Sequence, residues 1–240
     1  MNYFKRRAFN VKIVIFIFIV LSTQVSAKKN VTLGIPVFPP YSVIDELANQ
    51  CVGDFISVTK KILADSGFTV DVVCAPPTRI YRALKSAEID FIINVKSTKS
   101  LPKDIVFVDT PFNILSLNLY AHKNAQTIES IAAIDGFSYH GFRTKYTEQG
   151  YEFLNMPTSI SAIQLFLKGQ SSHLISYRSP FEYHIQDKKI ELKDEVSILP
   201  LLDVPTFYGI SAQSPHLEKL KTILEEYASM HQLSLFGQAN

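Results

Sequence analysis

Apolar residues recur along this chain with the spacings of strands and of helices, and the switches between the two mark out its elements. Val31 to Ile35 predicts a strand, which Pro39-Pro40-Tyr41 turns into a loop. From Asp54 onward Phe55, Val58, Ile62 and Leu63 return at helical spacing, with Asp54 placed to cap the start and Gly67 to stop the end. A strand over Thr69–Val73 follows and Pro76-Pro77 ends it. Thr78 is expected to cap a second helix, whose apolar face is Ile80, Ala83, Leu84 and Ala87. Phe91-Ile92-Ile93-Asn94-Val95 is too short for a helix and predicts a strand buried on both faces. A polar loop, Lys96 to Lys99, leads to a β-branched run, Ile105 to Val108. Strands alternating with helices at these intervals imply βαβ units and a parallel sheet.

The second half repeats the theme. Phe112 to Tyr120 is extended, with Ser116 to Tyr120 as a strand crossing out of the first half, and Lys123-Asn124-Ala125-Gln126 is a polar surface loop. A strand at Ile131–Ile134 feeds Asp135-Gly136-Phe137-Ser138-Tyr139-His140-Gly141, whose bracketing glycines predict a tight loop with exposed backbone N–H groups. A helix over 159–168 with Gly169 as its stop and a strand over 173–177 come next; Ser179-Pro180 then has the N-cap/N1 order of a helix start. Glu195 to Leu201 predicts a strand, Phe207 to Ala212 a crossing back, and Ser214-Pro215 a last helix carrying Leu217, Leu220, Leu224 and Tyr227. Two crossings between halves form a hinge.

Composition adds an address. Lys5, Arg6, Arg7 and Lys12 precede nine unbroken apolar residues, Ile13 to Leu21, and Val25-Ser26-Ala27 offers small residues for cleavage. Residues 1–27 therefore predict a cleaved signal peptide and a periplasmic destination; nine apolar residues fall far short of the ~20 that span a bilayer. Cleavage changes the charge. Of 24 basic and 22 acidic residues it removes four basic ones, leaving 20 against 22, a net charge of −2. No Lys/Arg stripe remains to recruit nucleic acid. The 213 residues that follow suffice for one large domain or two lobes of roughly 100 residues each.

Cys51 and Cys74 are the only cysteines, and export would place them where disulfides persist. If strands 31–35 and 69–73 are parallel neighbours, both thiols lie at one edge of the sheet. A bridge there would stabilise by about 3 kcal/mol in the loop-entropy model; two free buried thiols are the alternative. A metal site is not expected from two thiols without a nearby histidine.

The order of motifs carries a resemblance. A helix with Arg and Leu, then Glu88-Ile89-Asp90 before an apolar strand, Ser97-Thr98, and Val106 to Pro111 resemble the extracellular solute-binding proteins of family 3, the two-lobed periplasmic receptors. Pro39-Pro40-Tyr41, Gly53-Asp54-Phe55 and Tyr208-Gly209-Ile210 extend it over residues 31–230. The resemblance implies an α/β fold of type II binding-protein architecture. Each lobe is then a mostly parallel sheet flanked by helices, residues 28–118 with 212–240 forming one lobe and 119–211 the other, joined by a two-strand hinge. It also implies a ligand in the inter-lobe cleft, at the carboxyl ends of the strands. Candidate contacts are Tyr41, Arg79, Asn94, Lys96, Ser138, Tyr139, Arg143 and Tyr177.

Two departures bear on that ligand. Amino-acid-binding members carry Arg in a T-x-x-R loop, whose fork pairs with the ligand carboxylate; here the run is Thr98-Lys99-Ser100-Leu101. They also place Asp at the end of the strand where Ser176-Tyr177 stands. A standard α-amino acid is thus not expected, and Arg79, Lys96 and Arg143 leave room for an anionic group. None of the six histidines falls in H-E-x-x-H spacing and no G-x-S-x-G occurs, so neither an enzyme nor a cofactor is expected. The expected partners are a small-molecule ligand and an inner-membrane permease of an ABC importer or a membrane sensor, the protein itself being a monomer.

Overall fold

In a computed structural model of the chain the structure describes residues 29–123, 130–192 and 195–231. The expected signal peptide and Asn124 to Gln126 of the expected surface loop lie outside them. Among the described residues no helix is long and apolar enough to cross a membrane.

The chain opens with β1 (Lys29–Ile35), a hairpin of β2 (Val43–Asp45) and β3 (Gln50–Val52), α1 (Asp54–Ala64), β4 (Phe68–Cys74), α2 (Pro77–Lys85), β5 (Phe91–Asn94) and β6 (Val106–Phe107). It continues through β7 (Asn113–His122), β8 (Ser130–Ile134), α3 (Phe142–Glu148), β9 (Glu152–Met156), α4 (Ser159–Leu167), β10 (His173–Tyr177), α5 (Arg178–Asp187), β11 (Val196–Ile210) and α6 (Leu217–His231). The strand order is β4-β1-β5-β11-β7-β10-β8-β9. β4, β1 and β5 are parallel, as are β10, β8 and β9, and the antiparallel pair β11 and β7 joins the two sets. The parallel βαβ arrangement read from strand and helix spacing is thus present twice.

Each set has its own core. Leu33, Phe91, Phe112, Tyr208 and Leu220 centre the first, with Ile80, Leu84 and Ile92 on the other side of the sheet. Leu117, Ile131, Ile175 and Val204 centre the second, backed by Ile163, Phe166 and Leu174. Polar staples fix the first core. The Asp90 carboxylate accepts from the Thr32 N–H (2.8 Å) and the Ser214 hydroxyl (2.6 Å), tying β1 to the start of α6. Thr59 Oγ1 and the Tyr208 hydroxyl lie 2.6 Å apart, joining α1 to β11.

Several boundaries differ from the sequence reading. The strands expected at 195–201 and 207–212 are one strand, β11, because Pro200 sits at a register shift and β11 pairs with β7 alone over 196–206; a strand edge tolerates the missing proline N–H. Gly53, not Asp54, is the N-cap of α1; its φ is +142°, and a side chain there would collide with the Tyr41 carbonyl. Pro76 rather than Thr78 precedes α2, and Pro77 takes its first position. Helix α5 starts directly from β10 with Tyr177 as its N-cap, so Ser179 is inside the helix and Pro180 falls in its first turn, where no backbone N–H has an intrahelical partner. The run at 105–108 narrows to Val106–Phe107. The β2–β3 hairpin and β9 are additional elements. Cys51 and Cys74 form a disulfide with Cα atoms 5.9 Å apart, in keeping with the parallel β1–β4 register that places Ile35 opposite Cys74.

Candidate functional site

The carboxyl ends of β1, β5 and β10 converge on one cavity of about 50 Å³, lined among others by Ile35, Asn94 and Tyr177. Both cores wall it: Phe55 and Ile93 belong to the first, Phe38, Leu115 and Tyr177 to the second. A file of rings runs along it, with Phe38, Phe55 and Tyr177 on its wall and Tyr41 behind them. Tyr177 meets Phe38 edge-on at 5.5 Å, Phe38 and Tyr41 stack at 6.3 Å, and Tyr41 stacks on Phe55 at 4.4 Å. Beside it a cavity of about 180 Å³ shares Pro36, Phe38 and Phe137 and reaches outward to the starts of α2 and α4.

No acidic or basic residue lines the inner cavity. Its polar groups are Asn94, Ser42, Thr206 and Tyr177. Asn94 donates to the Tyr81 hydroxyl (2.9 Å) and accepts from Thr98 (3.1 Å). The Tyr81 hydroxyl is pushed up to about 12, burial outweighing the Asn94 hydrogen bond. Burial also raises Tyr177, helped by the Tyr139 and Tyr81 hydroxyls near it. All stay neutral at physiological pH, and the pocket presents dipoles and rings.

The other expected contacts are placed as follows. Tyr139 is buried at 2 %, and its hydroxyl accepts from the Ile134 N–H (2.7 Å) inside the second core; burial raises its pKa. Arg143 donates to the Phe137 carbonyl (2.8 Å), the Ile134 carbonyl (2.9 Å) and Asn155 (2.8 Å), and lies over the Phe153 ring at 4.5 Å. It binds the 135–141 loop to β8 and β9, and burial holds it below its usual value. The Ser138 carbonyl accepts from the Gly141 and Arg143 N–H groups. Lys96 is exposed, sits 4.2 Å over the Phe207 ring and pairs with Asp109 at 3.6 Å. Arg79 is exposed at the start of α2, and Leu101 is buried in the first half's outer core. Among these residues Asn94 and Tyr177 line the inner cavity, and Tyr41 stacks behind Phe38 and Phe55, which line it too.

Contacts across the cleft are already made. Ser97 Oγ and His140 Nδ1 lie 3.1 Å apart, and the Ser100 hydroxyl donates to the Gly136 carbonyl at 3.4 Å. The cleft is closed. Phe38, Ser42 and Phe137 were missed as lining residues although they flank expected contacts in the Pro39-Pro40-Tyr41 and Gly136-to-Gly141 motifs. Thr206 had no local signal, since it reaches the site only through its pairing with Asn113.

A larger cavity, about 560 Å³, opens elsewhere, between α5 and the β7–β11 face, around Tyr120 stacked on Phe181 at 3.9 Å. Its lining comes from the second half alone. The smaller inter-lobe space is the better candidate, because both cores and the ends of parallel strands meet there. Among the described residues no group of three His, Cys, Asp or Glu could hold a metal ion.

No family model matches the sequence, and no curated protein matches it. Solved structures match closely in shape. A histidine kinase sensor domain with similarity to periplasmic binding proteins is 18 % identical over 85 % of this chain and 90 % of its own, with a TM-score of 0.70. An ancestral arginine-binding protein bound to arginine is 18 % identical over 87 % and 96 %, also at 0.70. The chain has the two-lobed fold of the periplasmic binding proteins. An ancestral amino acid-binding protein described as a precursor of cyclohexadienyl dehydratase shares this binding-protein fold at 15 % identity, over 85 % and 89 %, with a TM-score of 0.66. At such identities the likeness is one of fold.

Proposed function

We propose that the protein is an exported solute-binding receptor of the periplasm that closes two lobes over a small molecule and hands it to an inner-membrane ABC importer. Residues 28–118 with 212–240 are one lobe and 119–211 the other, hinged along the paired strands β7 and β11. The observation that carries this reading is the cavity walled by both cores beside that two-strand connection. Its volume, about 50 Å³, is far below the ~300 Å³ and more of a ligand pocket. The lobes therefore part to admit a ligand and close on it.

Asn94 and Tyr177 supply the polar contacts, and Tyr41 backs the aromatic wall formed by Phe38 and Phe55. The ligand is not a standard α-amino acid: no acidic residue lines the cavity to pair with its ammonium, and Leu101 and Tyr177 occupy the two positions where amino-acid-binding members carry Arg and Asp. The likeness to a histidine kinase sensor domain supports a second reading, in which the closed form docks on a membrane signalling protein. The likeness to a dehydratase precursor makes recovery of intact ligand part of the test.

A thermal-shift screen of residues 28–240 against amino acids, organic acids, peptides, polyamines and sugars tests the reading. One class is expected to raise Tm by about 5–10 °C at ~100-fold over Kd, with Asn94→Ala and Tyr177→Ala abolishing the shift and the ligand recovered unchanged. Standard amino acids raising Tm would overturn the ligand assignment. Silence across the panel would overturn small-molecule capture.

A further inference from the structure

Ser159 is the first residue of α4, is only 1 % exposed and lines the outer, 180 Å³ part of the cleft. Its hydroxyl is buried and has no hydrogen-bond partner. A hydroxyl left so loses its solvation without return. The first turn of a helix also leaves its leading N–H groups without intrahelical acceptors. In α4 the Thr158 hydroxyl accepts from the Ser161 N–H, and the N–H groups of Ser159 and Ile160 precede that bond. The site therefore gathers donors.

Electrostatics select what those donors take. Pro76 and Pro77, at the start of α2 in the other lobe, line the same cavity as Thr158 and Ser159. Two helix N-termini, each worth roughly half a positive charge, thus flank one small space whose lining holds no acidic or basic residue. Asp135, next to the lining residue Ile134, is exposed to solvent. Pro77 has no N–H to give, so hydrogen bonding falls to α4. The rest of the lining, including Val37, Phe38, Ile44 and Phe137, is apolar. The space equals about six liquid-water volumes, enough for a compact organic body.

We propose that this outer pocket is a carboxylate subsite: the carboxylate of a small apolar acid accepts hydrogen bonds from Ser159 Oγ and the leading N–H groups of α4, while its body lies against Phe38, Ile44 and Phe137. The assignment rests on the cleft being the ligand site and adds the chemical class of the ligand. It lies at the second-strand junction of the second lobe, away from the loop that holds Leu101, and uses none of Arg79, Lys96 and Arg143.

Calorimetric titration of residues 28–240 with benzoate, butyrate and benzamide tests it, benzamide keeping the ring and removing the charge. Benzoate is expected to bind at least about tenfold tighter than benzamide. Ser159→Ala is expected to weaken benzoate binding about tenfold or more and to raise the Tm of the free protein, since it removes an unpartnered hydroxyl. A merely structural serine would not give those opposite signs. Equal affinity for benzoate and benzamide, or undiminished benzoate affinity in Ser159→Ala, overturns the subsite. A neutral solute whose binding needs Tyr177 but not Ser159 also overturns it and leaves the receptor reading standing, whereas absence of any small-molecule binding overturns both.

Discussion

The two lobes present corresponding corners to the cleft, β4 running into α2 and β9 running into α4, and they hold those corners by different means. At the first, the Cys51–Cys74 disulfide and the pair Pro76-Pro77 fix the backbone covalently and conformationally. At the second, a capping box does the work: Ser161 N–H donates to Thr158 Oγ1 at 3.1 Å and Thr158 N–H to Ser161 Oγ at 3.1 Å. The neighbouring loops differ too. Lys96 in the first lobe reaches over an exposed face to Phe207 and Asp109, while Arg143 in the second is consumed by two carbonyls and Asn155. The lobe without the covalent staple buries the hydroxyls of Ser159 and Ser171 without partners, and of these two residues Ser159 lines the cleft. Rigidity on one side and unsatisfied polarity on the other is the arrangement of a site that closes onto something.

Breaking the staple should have the largest effect. Cys51→Ala/Cys74→Ala is expected to lose about 3 kcal/mol, lowering Tm by roughly 6–12 °C for a chain of this size. Thermal unfolding with and without reductant checks it, the double variant being insensitive to reductant. Arg143→Ala comes next, at about 2 kcal/mol by urea unfolding, because it strands buried acceptors. Arg79→Ala, on an exposed helix start, should stay within about 0.5 kcal/mol. Thr158→Ala should cost about 1 kcal/mol. Adding Ser161→Ala should then cost little more, since the two residues act as one unit in a double-mutant cycle.

The smallest effect is on pH. Burial lowers the pKa of His140, so the unfolded chain takes up the proton first as pH falls below about 6.5. Stability is therefore flat above that value and declines below it, until the folded protein also binds the proton. His184, lowered by burial and by Lys188, acts in the same direction. His140→Gln should flatten part of the decline and identify the share carried by His140, read from urea midpoints between pH 5 and 8.

Much of this fold was legible in the chain. Phe91 to Asn94 announced a buried strand, and the spacing of Phe55, Ile62 and Leu63 announced α1, because burial on a regular element imposes a local period. Placing two parallel strands side by side brought Cys51 and Cys74 to one edge with free thiols as the alternative, and the structure joins them. Strand β9 escaped because Glu152 and Asn155 interrupt its alternation, and the hairpin β2–β3 because its strands have three residues each. The position of Asn94 and Tyr177 at strand ends, where they line the inner cavity, was legible from the strand pattern. The role of Arg143 as a clamp on its own loop was not, since an arginine after a glycine loop reads alike whether it faces a ligand or a carbonyl.

Local pattern thus decided most of the elements and their parallel pairing. What it left open was which polar groups find partners. Lys96 meets Phe207, Arg143 meets Asn155, Thr206 meets Asn113, and Ser159 meets no one, all through segments brought together by sheet register and lobe closure. Apolar burial is non-directional and repeats along the chain, so it can be read residue by residue. Hydrogen bonds need distance and angle together, and between distant segments only the folded chain supplies both.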